Sequence, residues 1–226
     1  VADLGDRMKE TLISADCYDL DEAGDVAQVY ADMRTELDEL AKTVAGDSKK
    51  KSMLTILLRG LQRAELLKVP LFVELAENAV EENASVVIFV NFRATMDAIC
   101  SRLKTKCVVH GTQSEEERNK AIDDFTADRE RVIVVQIKAG GTGTNLNDQH
   151  GDHPRVALIS PSFSMVTMKQ ALGRVARVNN KTASIQRIIY AAGTPEEKAC
   201  TAVRAKIKNL GALTDGDLMA GLGELT

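Results

Sequence analysis

No apolar run in this 226-residue chain approaches the length needed to cross a membrane, and the opening VADLGDRMKE lacks the form of a signal peptide. Cysteine is sparse and scattered. Cys17, Cys100, Cys107 and Cys200 form no CxxC pair, which argues against a disulfide framework or a zinc site and suits the reduced thiols of an intracellular protein. Positive charge is in deficit, 29 Lys and Arg against 33 Asp and Glu, so any nucleic-acid contact must come from a local basic surface. A phosphate-binding loop is also missing. GDSKKKS (46–52) ends in Lys-Ser but lacks the second glycine of GxxxxGK[ST] and reads as a solvated basic loop. The chain therefore cannot cradle a nucleoside triphosphate alone in the usual way. It opens on Val1 rather than methionine, as a fragment of something longer would.

What is present is a hydrophobic content of 44%, ordinary for a globular protein, and a strand–helix alternation over residues 86–193. VVIFVNF (86–92), KCVVHG (106–111), RVIVVQI (131–137), RVALIS (155–160) and SIQRIIYAA (184–192) read as strands. The helix SEEERNKAIDDF (114–125) starts with a capping box from Ser114 and Glu117, and a last helix runs from about Pro195 to Asn209. Repeated βα units imply an α/β fold, a parallel sheet with helices on both faces. Residues 1–83 read as a mainly helical segment packed on that sheet domain (84–210), with a strand near TLISADCYDL (11–20). One helix carries Val26, Val29, Tyr30, Met33, Leu37, Leu40 and Val44 on one face. A second carries Met53, Ile56, Leu57, Leu61 and Ala64, and a third begins near Pro70. Residues 211–226 form a tail.

Ligands of doubly wound sheets sit at the carboxyl ends of the strands, and the informative stretches fall in such loops. KAGGTGTNLND (138–148) offers backbone N–H groups with the Thr142 and Thr144 hydroxyls to phosphate oxygens. Gly111 and Thr112 precede a helix N-terminus. In QALGRVARVNN (170–180), Gln170, Gly173, Arg174 and Arg177 fall at i, i+3, i+4 and i+7, one helical face whose two guanidinium groups suit an anion. DQHGDH (148–153) lacks recognised metal-ligand spacing and reads as a polar loop, so no metal site is assigned. DEAG (21–24) has the letters of an acidic magnesium-binding motif but reads as a helix start.

The order of these loops resembles the second, RecA-like motor lobe of superfamily 2 helicases and translocases, with the Snf2-type branch nearest. FVNFRATMDAI resembles motif IV of that branch, KAGGTGTNL motif V and QALGRVARVNN motif VI. HGTQSEEERNKAIDDF is similar to its Gly-Ser/Thr…Glu-Arg motif, and GTPEEKACTAVRAKIK to the segment after motif VI. The resemblance covers about 68–210. It implies that Arg177 and Arg174, with Gln170, act on the γ-phosphate of an ATP–Mg²⁺ held mainly by an N-terminal lobe of the same protein. It implies that Gly143, Asn145 and Gly173 lie beside the nucleotide, and that Gly111, Thr112, Arg118, Gly141 and Thr142 touch nucleic acid, double-stranded DNA on the Snf2 pattern. The sequence departs from that pattern at Asn91-Phe92, at Arg177-Val178-Asn179-Asn180 and in a longer loop, Asn147–Pro154. Two rivals stand beside this reading. One is a non-catalytic nucleic-acid-binding module. The other is a DEAD-box-like RNA motor, which usually has His where Gln170 stands.

Overall fold

The computed structural model describes residues 9–43, 47–140, 145–162, 164–177 and 179–220. Six parallel strands form one sheet: β1 (Thr11–Tyr18), β2 (Ser85–Val90), β3 (Val108–Val109), β4 (Val132–Gln136), β5 (Arg155–Ile159) and β6 (Ser184–Ala191), in the order β1-β6-β5-β2-β4-β3. Every residue of β2 and β5 is buried, which is why both read as apolar runs after their first residues, Ser85 and Arg155. The helices are α1 (Ala23–Thr43), α2 (Asp47–Leu67), α3 (Val69–Glu81), α4 (Arg93–Leu103), α5 (Glu115–Thr126), α6 (Met165–Val175), α7 (Glu196–Lys206) and the short α8 (Asp215–Leu218). Alternation along β2 sorts the core. Val87 and Phe89 face the α5–α6–α7 side, with Phe125, Met168, Leu172 and Val203. Val86, Ile88 and Val90 face α3 and α4, with Phe72, Met96 and Ile99.

The five strands read between 86 and 192 are present, as are the capping box of α5 and the helix start at DEAG. Three expectations change. The strand at 11–20 is no part of an appendage, because β1 pairs with β6 along its whole length, Thr11 opposite Ser184 to Tyr18 opposite Ala191. The first 83 residues thus contribute an edge strand to the sheet as well as three helices. The basic stretch 46–51 is not a loop from Asp47 onward. Lys49, Lys50 and Lys51 lie in the first turns of α2, where lysine is a good helix former. The last helix stops at Lys206 and passes into a 3₁₀ turn, Ile207–Ala212.

α1 and α2 pack as a pair through Val26, Val29, Tyr30, Met33 and Leu37 against Leu61 and Ala64. Two buried carboxylates join that pair to the sheet. Glu196, at the start of α7, accepts from Lys68 Nζ at 2.8 and 3.0 Å, from the Tyr30 hydroxyl at 2.9 Å and from the Ala191 N–H at 2.8 Å. Burial, then the Glu196 charge, push the Tyr30 phenol well above its ordinary pKa, so it stays a donor. Glu65 on α2 accepts from the N–H groups of Asn91 and Phe92, from the Asn91 amide at 2.8 Å and from the Ser160 hydroxyl at 2.6 Å.

Lys68 and Glu196 have side chains only 3% and 8% exposed, so removing one partner leaves the other buried and charged. Lys68→Ala should lower stability by about 3–5 kcal/mol in urea unfolding. Lys120→Ala, at an exposed position of α5, should change it by at most about 0.5 kcal/mol. Equal effects would mean that the pair contributes nothing beyond an exposed charge.

Candidate nucleotide and nucleic-acid site

The loops that leave the carboxyl ends of β2, β4 and β5 are tied together. The Asn91 amide donates to the Pro161 carbonyl at 2.8 Å, and Gln136 Nε2 donates to the Asn91 carbonyl at 3.3 Å. Beside them, the turn after β3 is built by Gln113. Its Oε1 accepts from the His110 N–H at 2.8 Å and its Nε2 donates to the Val108 carbonyl at 3.0 Å. This stitching leaves Gly111 and Thr112 exposed at the start of α5. A Cβ placed on Gly111 would lie 3.9 Å from Ala139 Cβ, so the turn also abuts the 3₁₀ turn Ile137–Gly140 that follows β4. The Thr112 hydroxyl pairs with His110 Nδ1 at 3.0 Å. Burial, then the nearby Arg93 charge, lower the His110 pKa, so the ring is neutral at pH 7 and the positive charge here belongs to Arg93 and Arg118. Arg118 is half-buried, and its Nε has no hydrogen-bond partner. Gly141, Thr142 and Gly143, with Thr144, lie outside the described residues.

The arginines sit at the other end of the sheet. β5 and β6 are adjacent and parallel, with Arg155 opposite Ser184, so the connection between them must return to the amino ends. α6 makes that return. Its 11 residues span about 16 Å, close to the length of a five-residue strand. Arg174 and the residues after it are therefore next to the segment that leads into β5. Leu146 N–H donates to the Arg174 carbonyl at 3.0 Å, and Lys181 N–H to the Asp148 carbonyl at 3.1 Å. The expectation that all the informative stretches fall at the carboxyl ends thus holds for Gly111 and Thr112 but not for Arg174 and Arg177.

The single helical face also breaks. α6 ends at Val175, and Ala176 is extended. The Arg174 carbonyl accepts from the Leu146 N–H, and the Val175 carbonyl accepts from Asn180 Nδ2 at 3.0 Å, so partners from outside the helix satisfy its last carbonyls. Arg177 lies beyond the helix, and its carbonyl accepts from the Asn180 N–H at 3.1 Å in a turn. Gln170, Gly173 and Arg177 are exposed, whereas Arg174 is buried with the apolar residues of α6. Burial, then the Arg177 charge beside it, lower the Arg174 pKa, so the two cations are close although they no longer share a helix. Asn145 is exposed just ahead of Leu146. A Cβ on Gly173 would meet nothing within 4 Å, so that side of α6 is open.

Among the described residues, no group of three or more His, Cys, Asp and Glu is arranged to hold a metal. His150 and Gly151 donate backbone N–H groups to Asp148, and His153 Nδ1 pairs with the Asn83 carbonyl. No helix among the described residues is long and apolar enough to cross a membrane. The positioning carboxylates Glu65 and Glu196 were not foreseen. For Glu65 a signal existed: with Lys68 it continues the apolar stripe of Leu57, Leu61 and Ala64 at helical spacing, where a solvated residue does not belong.

The family described as the helicase conserved C-terminal domain matches residues 67–179, half of the chain. A protein of Acanthamoeba polyphaga mimivirus named "Putative ATP-dependent RNA helicase" is 34% identical over 219 residues, 96% of this chain. The chain spans 40% of that relative's length. The DNA repair protein rad8 of Schizosaccharomyces pombe is 30% identical over 105 residues, 44% of this chain and 9% of its own. The fold is that of the C-terminal part of the Fun30 ATPase domain, with a TM-score of 0.61 at 15% identity over 87% of this chain and 90% of the other. With its parallel RecA-like sheet and the motifs its loops carry, the chain belongs to the helicase conserved C-terminal domain family of superfamily 2.

Proposed function

We propose that the chain is the second motor lobe of an ATP-dependent translocase or helicase that works on nucleic acid, double-stranded DNA on the Snf2-type motif pattern. A first lobe holds the triphosphate and its magnesium ion, and this lobe completes the site with Arg177 and Arg174, positioned with Gln170 and flanked by Gly143, Asn145 and Gly173. The observation that carries the reading is the exposed Arg177, next to the buried Arg174 and an open helix side. Two guanidinium groups at close quarters repel each other, and a polyphosphate spanning them turns that repulsion into attraction. At the opposite end of the sheet, Gly111, Thr112 and Arg118, with Gly141 and Thr142, would hold the nucleic-acid backbone. The stretch 138–146 joins the two ends, since Ala139 abuts Gly111 and Leu146 is bonded to Arg174. That continuity gives a physical route by which backbone contact and nucleotide contact affect one another.

In phosphoryl transfer the guanidinium's part is electrostatic. It neutralises charge that develops on the transferred group and moves no proton. In the intact protein, Arg177→Ala should therefore lower ATP turnover about 10³–10⁵-fold at saturating DNA, with DNA affinity nearly unchanged. Arg177→Lys should fail nearly as badly, since an ammonium lacks the planar fork. Gln170→Ala should do less damage than either. Near-parental turnover in Arg177→Ala, or a loss explained by failure to bind DNA, would replace the motor reading with the binding-module reading.

The isolated chain should show no ATP hydrolysis, because neither a P-loop nor a magnesium carboxylate is present in its sequence. A DNA-stimulated ATPase assay of the fragment beside the parent checks this, and comparable rates would sink the two-lobe scheme.

Nucleic-acid binding by the lobe should be weak and salt-dependent, as phosphate contacts are. Thr112→Ala should lower affinity about equally for unrelated sequences in a fluorescence-anisotropy titration. Stronger stimulation of the intact ATPase by RNA than by duplex DNA would favour the RNA-motor alternative.

A further inference from the structure

The sequence departs from the family pattern both in the loop Asn147–Pro154 and at Asn179-Asn180, and in the fold these two departures meet. Asn147 Nδ2 donates to Asn179 Oδ1 at 3.2 Å. The Asp148 carbonyl accepts from the Lys181 N–H, and Asp148 Oδ2 accepts from the Thr182 hydroxyl at 2.7 Å. Asp148 Oδ1 accepts from the His150 N–H at 3.1 Å and the Gly151 N–H at 2.8 Å, and Gly151 sits at φ 96°, which suits glycine. One fully buried carboxylate thus binds its own loop with one oxygen and the stretch after Arg177 with the other. From the helix side, Asn180 is 5% exposed and clamps the Val175 carbonyl, while its backbone closes the turn on the Arg177 carbonyl. Arg177 is the residue left outside, between a helix end that is capped and a turn that is anchored.

We infer that Asp148 is the positioning residue for Arg177: through Thr182 and Lys181 it fixes where the chain goes after α6 and so where the exposed guanidinium points. This inference rests on the proposed role of Arg177. The energetics favour a rigid anchor. A buried carboxylate that lost its partners would be unpaired, so the 181–182 segment cannot swing away cheaply. Burial by itself raises the Asp148 pKa. The hydrogen bonds from Gly151, Thr182 and His150, with the Arg155 charge, outweigh it and leave the group acidic and ionised at neutral pH. Of the side chains around it, Thr182 is neutral, and Arg155 donates from Nη1 to Asp128 at 2.6 Å and has no hydrogen-bond partner at Nε or Nη2. The carboxylate acts on Arg177 through the chain at Lys181 and Thr182.

The test uses the intact two-lobe protein. Asp148→Asn keeps the shape but loses the charge and makes one of its two oxygen positions a donor, facing either the Thr182 hydroxyl or the two N–H groups. Displacing a reacting group by about 1 Å costs up to about 100-fold. The expected result is a tenfold to hundredfold fall in kcat, on the order of that penalty, with the ATP KM and DNA affinity unchanged. A residue acting through Arg177 has nothing left to position once Arg177 is impaired. In the Arg177→Lys background, Asp148→Asn should therefore lower single-turnover rates by less than about twofold. Thr182→Val should reproduce part of the loss and Thr182→Ser should keep parental kcat. That pair decides the matter if Asp148→Asn shows no cooperative melt. Parental kcat in a folded Asp148→Asn protein, the same fold loss in both backgrounds, or parental kcat in Thr182→Val overturns the inference. Failure of the Arg177 reading is seen separately, as near-parental turnover in Arg177→Ala alone.

Discussion

A carboxylate taken out of water costs several kcal/mol unless its lone pairs are filled, and two such groups hold this molecule together. Glu65 gathers the ends of β2 and β5, through Asn91, Phe92 and Ser160, onto one side chain of α2. Glu196 gathers α1, the residue after Leu67 and the end of β6 through Tyr30, Lys68 and Ala191. Either helix could slide along an apolar contact at modest cost, because dispersion and burial carry little direction. Neither can slide once its polar anchors have fixed geometry. The helical pair is therefore built into the carboxyl edge of the sheet. The backbone at Asn91-Phe92, where the family pattern is not followed, is shaped by a side chain that lies 26 residues away in sequence.

Local chemistry was legible and long-range pairing was not. β2 and β5 stood out because both faces are buried, so every position after the opening Ser85 and Arg155 is apolar. The start of α5 stood out because Ser114 and Glu117 satisfy each other within one turn. β1 was visible as a strand but its place was not, since Thr11 and Ser184 meet across 173 residues and nothing periodic encodes that meeting. The lysines at 49–51 read as a loop on charge alone, although a helix tolerates a lysine run at its surface.

Periodicity also carried α6 too far. A spacing of i, i+4 and i+7 describes a helix only while the backbone keeps helical dihedrals, and Ala176 is already extended. Leu146 and Asn180, one upstream and one downstream, satisfy the carbonyls of the last turn. The result moves Arg177 off the helix and exposes it, while Arg174 turns inward with the core residues of the last turn. Of the two residues that satisfy those carbonyls, Asn180 lies in a stretch that departs from the family pattern, whereas Leu146 closes the stretch that resembles motif V.

The separation of the two candidate groups bears on what such a lobe can do. Residues that suit nucleic-acid backbone stand at the carboxyl end of the sheet, and the arginines stand near the amino end, on the far side of a core packed from both faces. A packed core has low compressibility and shifts between discrete arrangements rather than deforming continuously. Residues 141–144, outside the described residues, are the direct covalent link between the ends. On the proposed reading, nucleic acid that engages this stretch alters the strand of chain whose next residue, Leu146, is bonded to the Arg174 carbonyl. Arg174 is buried, and the turn beyond it is anchored through Asn180 and through the bonds of Lys181 and Thr182 to Asp148. That turn carries the one arginine of the pair that solvent, or a partner lobe, can reach.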